Sequence, residues 1–362
     1  DALERGLPDE LGHQHFFGLV GELPVRIERR AGRQMRDDDV GQHVELLGFG
    51  RRDGHDVGVG EKFAVGVHDG VVKRARGRGD GAVFRDEVGD LHLARQIADK
   101  VLAPIVDQHE KEETYPEGVF ATLGKAGLLS LPYPEEWGGG GQPYEVYLQV
   151  LEELAARWAA VAVAVSVHGL SCHPLMTFGS DEQRSRWLPD MLGGSTIGAY
   201  SLSEPQAGSD LNHMATRAVP KENGAYALSG QKIFITWGDQ EMTENIVHLV
   251  LARLPDAPKG VKGISLFLVP KYLPREDGTP GQSNGVACAA IEHKMGLKAS
   301  ATCQMNFDDS IGWIVGEPGK GMAAMFTMMN TERVSVGIQG LGVGEAAYQA
   351  AAWYAKDRIQ GR

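Results

Sequence analysis

The sequence predicts a multidomain α and β protein: an all-α N-terminal domain, a middle β domain, and one long helix beyond it. Three observations carry this. Between about residues 84 and 192, apolar residues recur at three- and four-residue spacing, the mark of helices with one buried face. The pattern then switches to short alternating or wholly apolar runs bounded by turn residues, as far as residue 307. From Gly321 the helical period returns and holds to Arg358. Consecutive strands without helices between them argue against a doubly wound sheet.

Before the first helix the composition is anomalous. Residues 1–80 contain 15 Gly, 11 Arg and 5 His, but no Ser, Thr, Asn, Cys, Tyr or Trp. Folded segments use short hydroxyl side chains freely in caps and turns. Residues 1–83 therefore read as a disordered extension, with Ala64–Val72 the nearest thing to a strand. A GC-rich coding region read out of frame would give the same bias.

Order is expected from Phe84. Phe84, Val88, Leu91, Leu93, Ile97, Val101 and Ile105 share one helix face. Pro116 is placed to open a second helix, with Val119, Phe120, Leu123 and Ala126 inward. The run WGGGG at 137–141 forces a loop, and helix resumes over Glu145–Val167. Ser180, followed by Glu182 and Gln183, caps another over Ser180–Leu188. These segments define an α domain over 84–194.

The β domain spans 195–318. Its expected strands are Ile197–Ser203, Ala215–Val219, Tyr226–Ser229, Lys232–Thr236, Ile246–Leu254, Ile264–Pro270, Val286–Ile291 and Cys303–Phe307. Asn223-Gly224 is a hairpin signal between two of them. Over 319–362 the single long helix cannot bury its own apolar face and requires something to pack on.

Charge and cysteines narrow the function classes. The chain of 362 residues carries a net charge of −12, most of it outside the first 80 residues, which disfavours nucleic acid as a partner. Cys172, Cys288 and Cys303 lie far apart, which fits a reducing, cytoplasmic setting and gives no zinc-type spacing. The most apolar stretch, Trp158–Val167, is about half the roughly 20 residues a bilayer span needs. It reads as a buried core helix. The histidines show no metal-ligand spacing and read as structural.

Glycine strings offer little. GLGVG at 340–344 lies inside the last helix, where glycines allow close packing, while GEPGKGM at 316–322 and GFGRRDG at 48–54 miss the nucleotide-loop spacings. YSLSEPQAGSD at 200–210 is different. A strand delivers Tyr200 to Ser203, and the Pro-Gln-Ala-Gly-Ser turn then presents backbone N–H groups and two hydroxyls. Such a nest suits a phosphate or a flavin edge, and an ordinary polar turn suits the residues equally well.

That segment resembles the first signature of the acyl-CoA dehydrogenases, flavoenzymes with (S/T)EPxAGSD after a strand. The likeness continues in order with FRDEV at 84–88, PYPEEWGGGG at 132–141, GQKIFIT at 230–236, KMGLKASATCQMNFDD at 294–309 and YAKDRIQGR at 354–362. From Lys232 onward, with ENIVHLVLARLPDAP and FTMMN, the chain resembles the branch containing 3-methylmercaptopropionyl-CoA dehydrogenase.

The resemblance implies only the first helix of a C-terminal helical bundle, FAD as cofactor, an acyl-CoA substrate, an electron-transfer flavoprotein as partner and a homo-oligomer. By position, Tyr200, Leu202, Ser203, Gly208 and Ser209 would contact FAD, with Phe234, Ile235 and Thr236 beside the flavin ring. Ser209 would also approach the acyl-CoA, and Arg333 its CoA moiety. Arg358 and Gln360 would reach FAD held by a partner subunit. The base that removes the α-proton lies late in the bundle in many relatives, and immediately before the Arg of the long helix in others. Here that slot is Glu332, which a plain helix carboxylate would also fill. An inactive truncated remnant and a flavin-dependent monooxygenase on the same fold are the alternatives.

Overall fold

The computed structural model describes residues 66–68, 71–73 and 87–361. The chain divides into two compact units, residues 1–79 and 80–362. In the first, strands β1 (Gly66–His68) and β2 (Val71–Lys73) pair antiparallel, with Val67 opposite Val72. The single strand expected over Ala64–Val72 is thus a hairpin where it is described. The expectation of disorder, and the start of the first helix at Phe84, lie outside the described residues.

The second unit opens with α1 (Glu87–Ile97), which runs into a π-helical turn at Ala98–Leu102. The turn keeps Ala94, Ile97, Ala98 and Leu102 buried on one side. A short α2 (Val106–Glu112) ends where Glu113 turns left-handed, at φ 57°. Pro116 does not open α3. That helix spans Val119–Lys125, because Gly118 at φ 74° supplies the left-handed residue that breaks the preceding turn. Val119, Phe120 and Leu123 face inward as expected, while Ala126 lies past the last helical residue and is half-buried.

The helix expected over Glu145–Val167 is two. Trp158, extended at φ −153° and ψ 97°, separates α4 (Tyr144–Ala155) from α5 (Ala159–Phe178). Trp158 is buried and its indole N–H donates to Glu110 at 2.8 Å, so tertiary anchoring overrides the continuous apolar pattern. With 20 residues, α5 has the length and composition of a membrane span, but 67% of its most apolar window is buried inside the fold. α6 (Asp181–Gly193) carries the cap read from sequence. Gln183 N donates to Ser180 Oγ at 3.2 Å, and Ser180 N donates to Gln183 Oε1 at 3.0 Å.

The β domain consists of β3 (Thr196–Ser201), β4 (Arg217–Pro220), β5 (Tyr226–Thr236), β6 (Asn245–Arg253), β7 (Ile264–Pro270), β8 (Tyr272–Pro274), β9 (Pro280–Ser283), β10 (Val286–Ile291) and β11 (Thr302–Val315). The two runs over 226–236 form one bulged strand, and the run at 303–307 extends to Val315. Pairings β5–β4, β4–β6, β6–β7, β7–β11 and β11–β5 close a five-stranded ring. β10 adds to β11, and β3 adds to β6 in parallel. Asn223 and Gly224, both at positive φ, turn the chain between β4 and β5 as their dipeptide signals. The β8–β9 hairpin was not anticipated.

β6 and β7 are buried on both faces. Ile246, Val250, Phe267 and Val269 join the core beneath the N-terminal helices. Val247, Leu249, Leu251, Leu266 and Leu268 join a second core with α5, α6 and the last helix. That helix, α7 (Gly321–Asp357), has 37 residues and is about 55 Å long. It buries Ala324, Met325 and Met328 in the second core, then Ser335, Gln339 and Gly342 against the helical domain. A side chain at Gly342 would meet Glu152 O and Ala155 Cβ, whereas Gly340 and Gly344 face open space. The close-packing role read for GLGVG therefore belongs to its middle glycine. Leu341, Val343, Tyr348, Trp353 and Tyr354 remain exposed.

Candidate active site

Two regions carry most of the residues singled out by sequence. The first is the end of β3. Tyr200 and Leu202 are half-buried against the second core, and the Tyr200 hydroxyl is buried without a hydrogen-bond partner among the described residues. Beyond Ser203 the chain doubles back: Glu204 N donates to Ala207 O at 2.7 Å and Ala207 N donates to Glu204 O at 3.0 Å. Gly208 and Ser209 are exposed past this turn. Their N–H groups and the hydroxyls of Ser203 and Ser209 make no hydrogen bond within the described residues.

β5 joins this turn. Ile233 N donates to Ser203 O at 2.9 Å, and Lys232 Nζ donates to Leu202 O at 3.1 Å. Opposite β11 the register slips between Lys232 and Ile235, and within the slip Phe234 is left-handed at φ 59°. A bulky residue in that conformation is strained, and such strain concentrates at functional positions. The bulge turns the Phe234 ring outward, 61% exposed, beside half-buried Thr236. Ile235 points into the core, so only its backbone can meet a ligand. Free N–H and hydroxyl donors beside an exposed aromatic ring suit the polar edge and flat face of a flavin.

The second region is a cavity of about 610 Å³. Residues 132–134 and Tyr144 lie on one side, Ser166 to Thr177 of α5 on another, and Met328 to Ser335 of α7 on a third. Met328, Leu170 and Tyr133 of the cavity wall belong to the core against which Tyr200 and Leu202 pack. Glu332 is half-buried on the cavity wall. Burial pushes its carboxyl up to about 7, against a hydrogen bond from Ser166 Oγ at 3.1 Å that lowers it. Gln339 Nε2 in turn donates to Ser166 Oγ at 2.8 Å. No ion pair offsets the carboxylate among the described residues, since Arg333 is exposed and donates to Asn330 Oδ1 at 2.7 Å instead. A carboxyl poised near neutrality on an apolar wall is suited to moving a proton.

The remaining sequence-predicted residues stand apart. Arg358 and Gln360 are exposed beyond the end of α7, about 39 Å along the helix from Glu332. Sequence reasoning missed Ser166 and Gln339. Ser166 lies in an apolar helical run and Gln339 between Ile338 and Gly340, with nothing local to mark either. A second cavity of about 900 Å³ lies between residues 109–117 and the β-domain loops. Of its three lysines, Lys271 and Lys298 are paired with Asp239 and Glu113, and Lys294 donates to Ser300 O at 2.6 Å. His168 is structural as read: Gly198 N donates to its Nδ1 at 3.0 Å, and burial lowers its pKa to about 4.

The chain thus combines a helical domain, a β barrel and a long helix, with a half-buried carboxyl where that helix lines a cavity against the helical domain. Residues 91–195 match the acyl-CoA dehydrogenase N-terminal domain and residues 199–310 the acyl-CoA dehydrogenase middle domain. The chain belongs to the acyl-CoA dehydrogenase family. It is 45% identical over 236 residues to 3-methylmercaptopropionyl-CoA dehydrogenase of Ruegeria pomeroyi, a match covering 65% of this chain and 40% of that protein. An acyl-CoA dehydrogenase of Bacillus subtilis is 34% identical over 282 residues, covering 77% of this chain and 70% of its own length. The structure of butyryl-CoA dehydrogenase from Megasphaera elsdenii superposes with a TM-score of 0.67 at 31% identity, covering 78% of this chain and 72% of the other.

Proposed function

We propose that the chain carries the core of an FAD-dependent acyl-CoA dehydrogenase, which desaturates an acyl-CoA thioester between its α and β carbons and passes the electrons to an electron-transfer flavoprotein. The observation that carries this reading is Glu332, a carboxyl with its pKa raised to about 7 on the wall of a cavity between α7 and the helical domain. An α C–H beside a thioester is a weak acid, and its removal needs a base near neutrality in a dry site. Glu332 is that base, and Ser166 orients its carboxylate from α5. Bound FAD would supply the sink for the β-hydride.

Ser203, Gly208 and Ser209 would hold the flavin edge through their free donors. Tyr200 and Leu202 would support it from β3, and Phe234, Ile235 and Thr236 would flank its ring. Ser209 would also face the thioester side, and Arg333 the CoA moiety. Arg358 and Gln360 lie too far along α7 to serve the same cofactor, which supports a homo-oligomer in which they reach a partner's FAD. The three free thiols fit a cytoplasmic setting.

The test is spectral. The chain is mixed with FAD, freed of excess, and titrated anaerobically with a panel of acyl-CoAs. Bound flavin bleached by an acyl-CoA supports the reading. A protein that holds flavin but is never bleached refutes the dehydrogenase assignment, and one that takes up no flavin supports the inactive remnant.

A further inference from the structure

The flavin-facing turn hangs from a buried ion pair. Lys232 and Glu204 are 0% and 2% exposed at their side chains, with Nζ 2.9 Å from Oε1. A lysine ammonium has three protons to give. Here they go to Glu204 Oε1, to Leu202 O at 3.1 Å and to Leu251 O at 2.7 Å. One side chain of β5 thus ties together the segment leaving β3 and the middle of β6.

Glu204 is equally occupied. Its Oε1 accepts from Thr216 N at 3.0 Å, from Thr216 Oγ1 and from Lys232. Its Oε2 accepts from Ala215 N at 2.6 Å and from Gln206 Nε2. Residues 204 and 215–216 are the two ends of the loop that carries Gly208 and Ser209. One carboxylate therefore clasps both ends of that loop and fixes them to the sheet through Lys232. Burial acts against the charge on each partner. For Glu204, the nearby ammonium and the donated hydrogen bonds outweigh it and hold the carboxyl below the ordinary range. For Lys232, burial prevails and brings the ammonium down to about 8.

A buried pair of this kind is weak evidence for stability, because the desolvation of two charges offsets their attraction. Its worth lies in fixing a geometry. Donors held in place before a ligand arrives bind it without the entropic cost of ordering the loop. We propose that Lys232 and Glu204 are positioning residues that preorganise the Ser203–Ser209 turn for the cofactor. The inference rests on the flavin reading of that turn.

The test compares FAD dissociation constants, from quenching of flavin fluorescence, with far-UV circular dichroism and thermal midpoints of the flavin-free chain. The double variant Lys232→Met/Glu204→Gln removes both charges and leaves neither buried alone. It is expected to keep the wild-type helix and strand content and to bind FAD about 10–100-fold more weakly. Wild-type affinity in a folded double variant overturns the inference and leaves the flavin reading intact. A wild-type chain that takes up no flavin overturns both. Should the double variant not fold, Thr216→Val decides. It deletes one donor to Glu204 in a near-isosteric side chain; several-fold weaker FAD binding supports the inference and unchanged binding overturns it.

Discussion

Ser166 Oγ donates to Glu332 Oε1 at 3.1 Å, joining α5 to α7 across the wall of the cavity. The contact links residues 166 positions apart, and it is the hydrogen bond that opposes burial in setting the Glu332 carboxyl near 7. A base must be deprotonated to act, so acyl-CoA desaturation is expected to rise with pH through about 7. Glu332→Gln keeps the shape and removes the base. Turnover should fall by about 10²–10⁴-fold, with acyl-CoA still bound. Single-turnover flavin reduction across pH measures this, and full reduction rates in the variant remove Glu332 from the mechanism.

Ser166→Ala tests the same contact from the other side. A donor that favours the charged carboxylate is lost, so the Glu332 pKa should climb further and the rising limb of the pH profile move to higher pH. Gln339 Nε2 loses its acceptor at the same time. A profile with an unchanged midpoint would show that Ser166 does not tune the base.

The raised carboxyl also has a stability consequence in the flavin-free chain. A folded-state pKa of about 7 lies above the ordinary carboxylate value, so the folded chain holds the proton more tightly than the unfolded one. The stability this contributes is complete below the ordinary carboxylate pKa and is lost as pH rises through about 7. Chemical denaturation between pH 4.5 and 7.5 should show wild type losing stability relative to Glu332→Gln. Parallel curves for the two proteins would contradict the assignment.

What sequence revealed here follows the range of the interactions. The Ser180 cap, the Asn223-Gly224 turn and the bounds of β7 and β10 are local, written within a few residues, and the structure holds them. The break at Trp158 was invisible because its cause is Glu110, on another helix. Glu332 was reachable only through resemblance, since a carboxylate on a helix carries no local sign of its burial. Ser166 and Gln339 were not reachable at all. Lys232 and Glu204 read as ordinary polar residues of a strand and a turn, and their pairing exists only once the ring of strands closes.

The glycines of α7 separate two effects that sequence cannot distinguish. Glycine inside a helix costs about 0.5–1 kcal/mol relative to alanine, because it gives up more backbone freedom on folding. Gly340 faces open space, so Gly340→Ala should recover most of that amount and raise the thermal midpoint. Gly342 is buried, and an added Cβ would lie 2.7 Å from Glu152 O and 3.0 Å from Ala155 Cβ. Gly342→Ala gains the same propensity but must push α7 away from α4, and overpacking of this kind costs roughly 1–3 kcal/mol. The backbone carbonyl at Glu152 cannot rotate aside as a side chain would, so the net effect is destabilising. Because α7 carries Glu332, the displacement should also reach the cavity, weakening acyl-CoA binding in Gly342→Ala and leaving it unchanged in Gly340→Ala. Thermal melts and acyl-CoA titrations of the two variants together check the argument, and equal behaviour at the two positions would refute the close approach of α7 to α4.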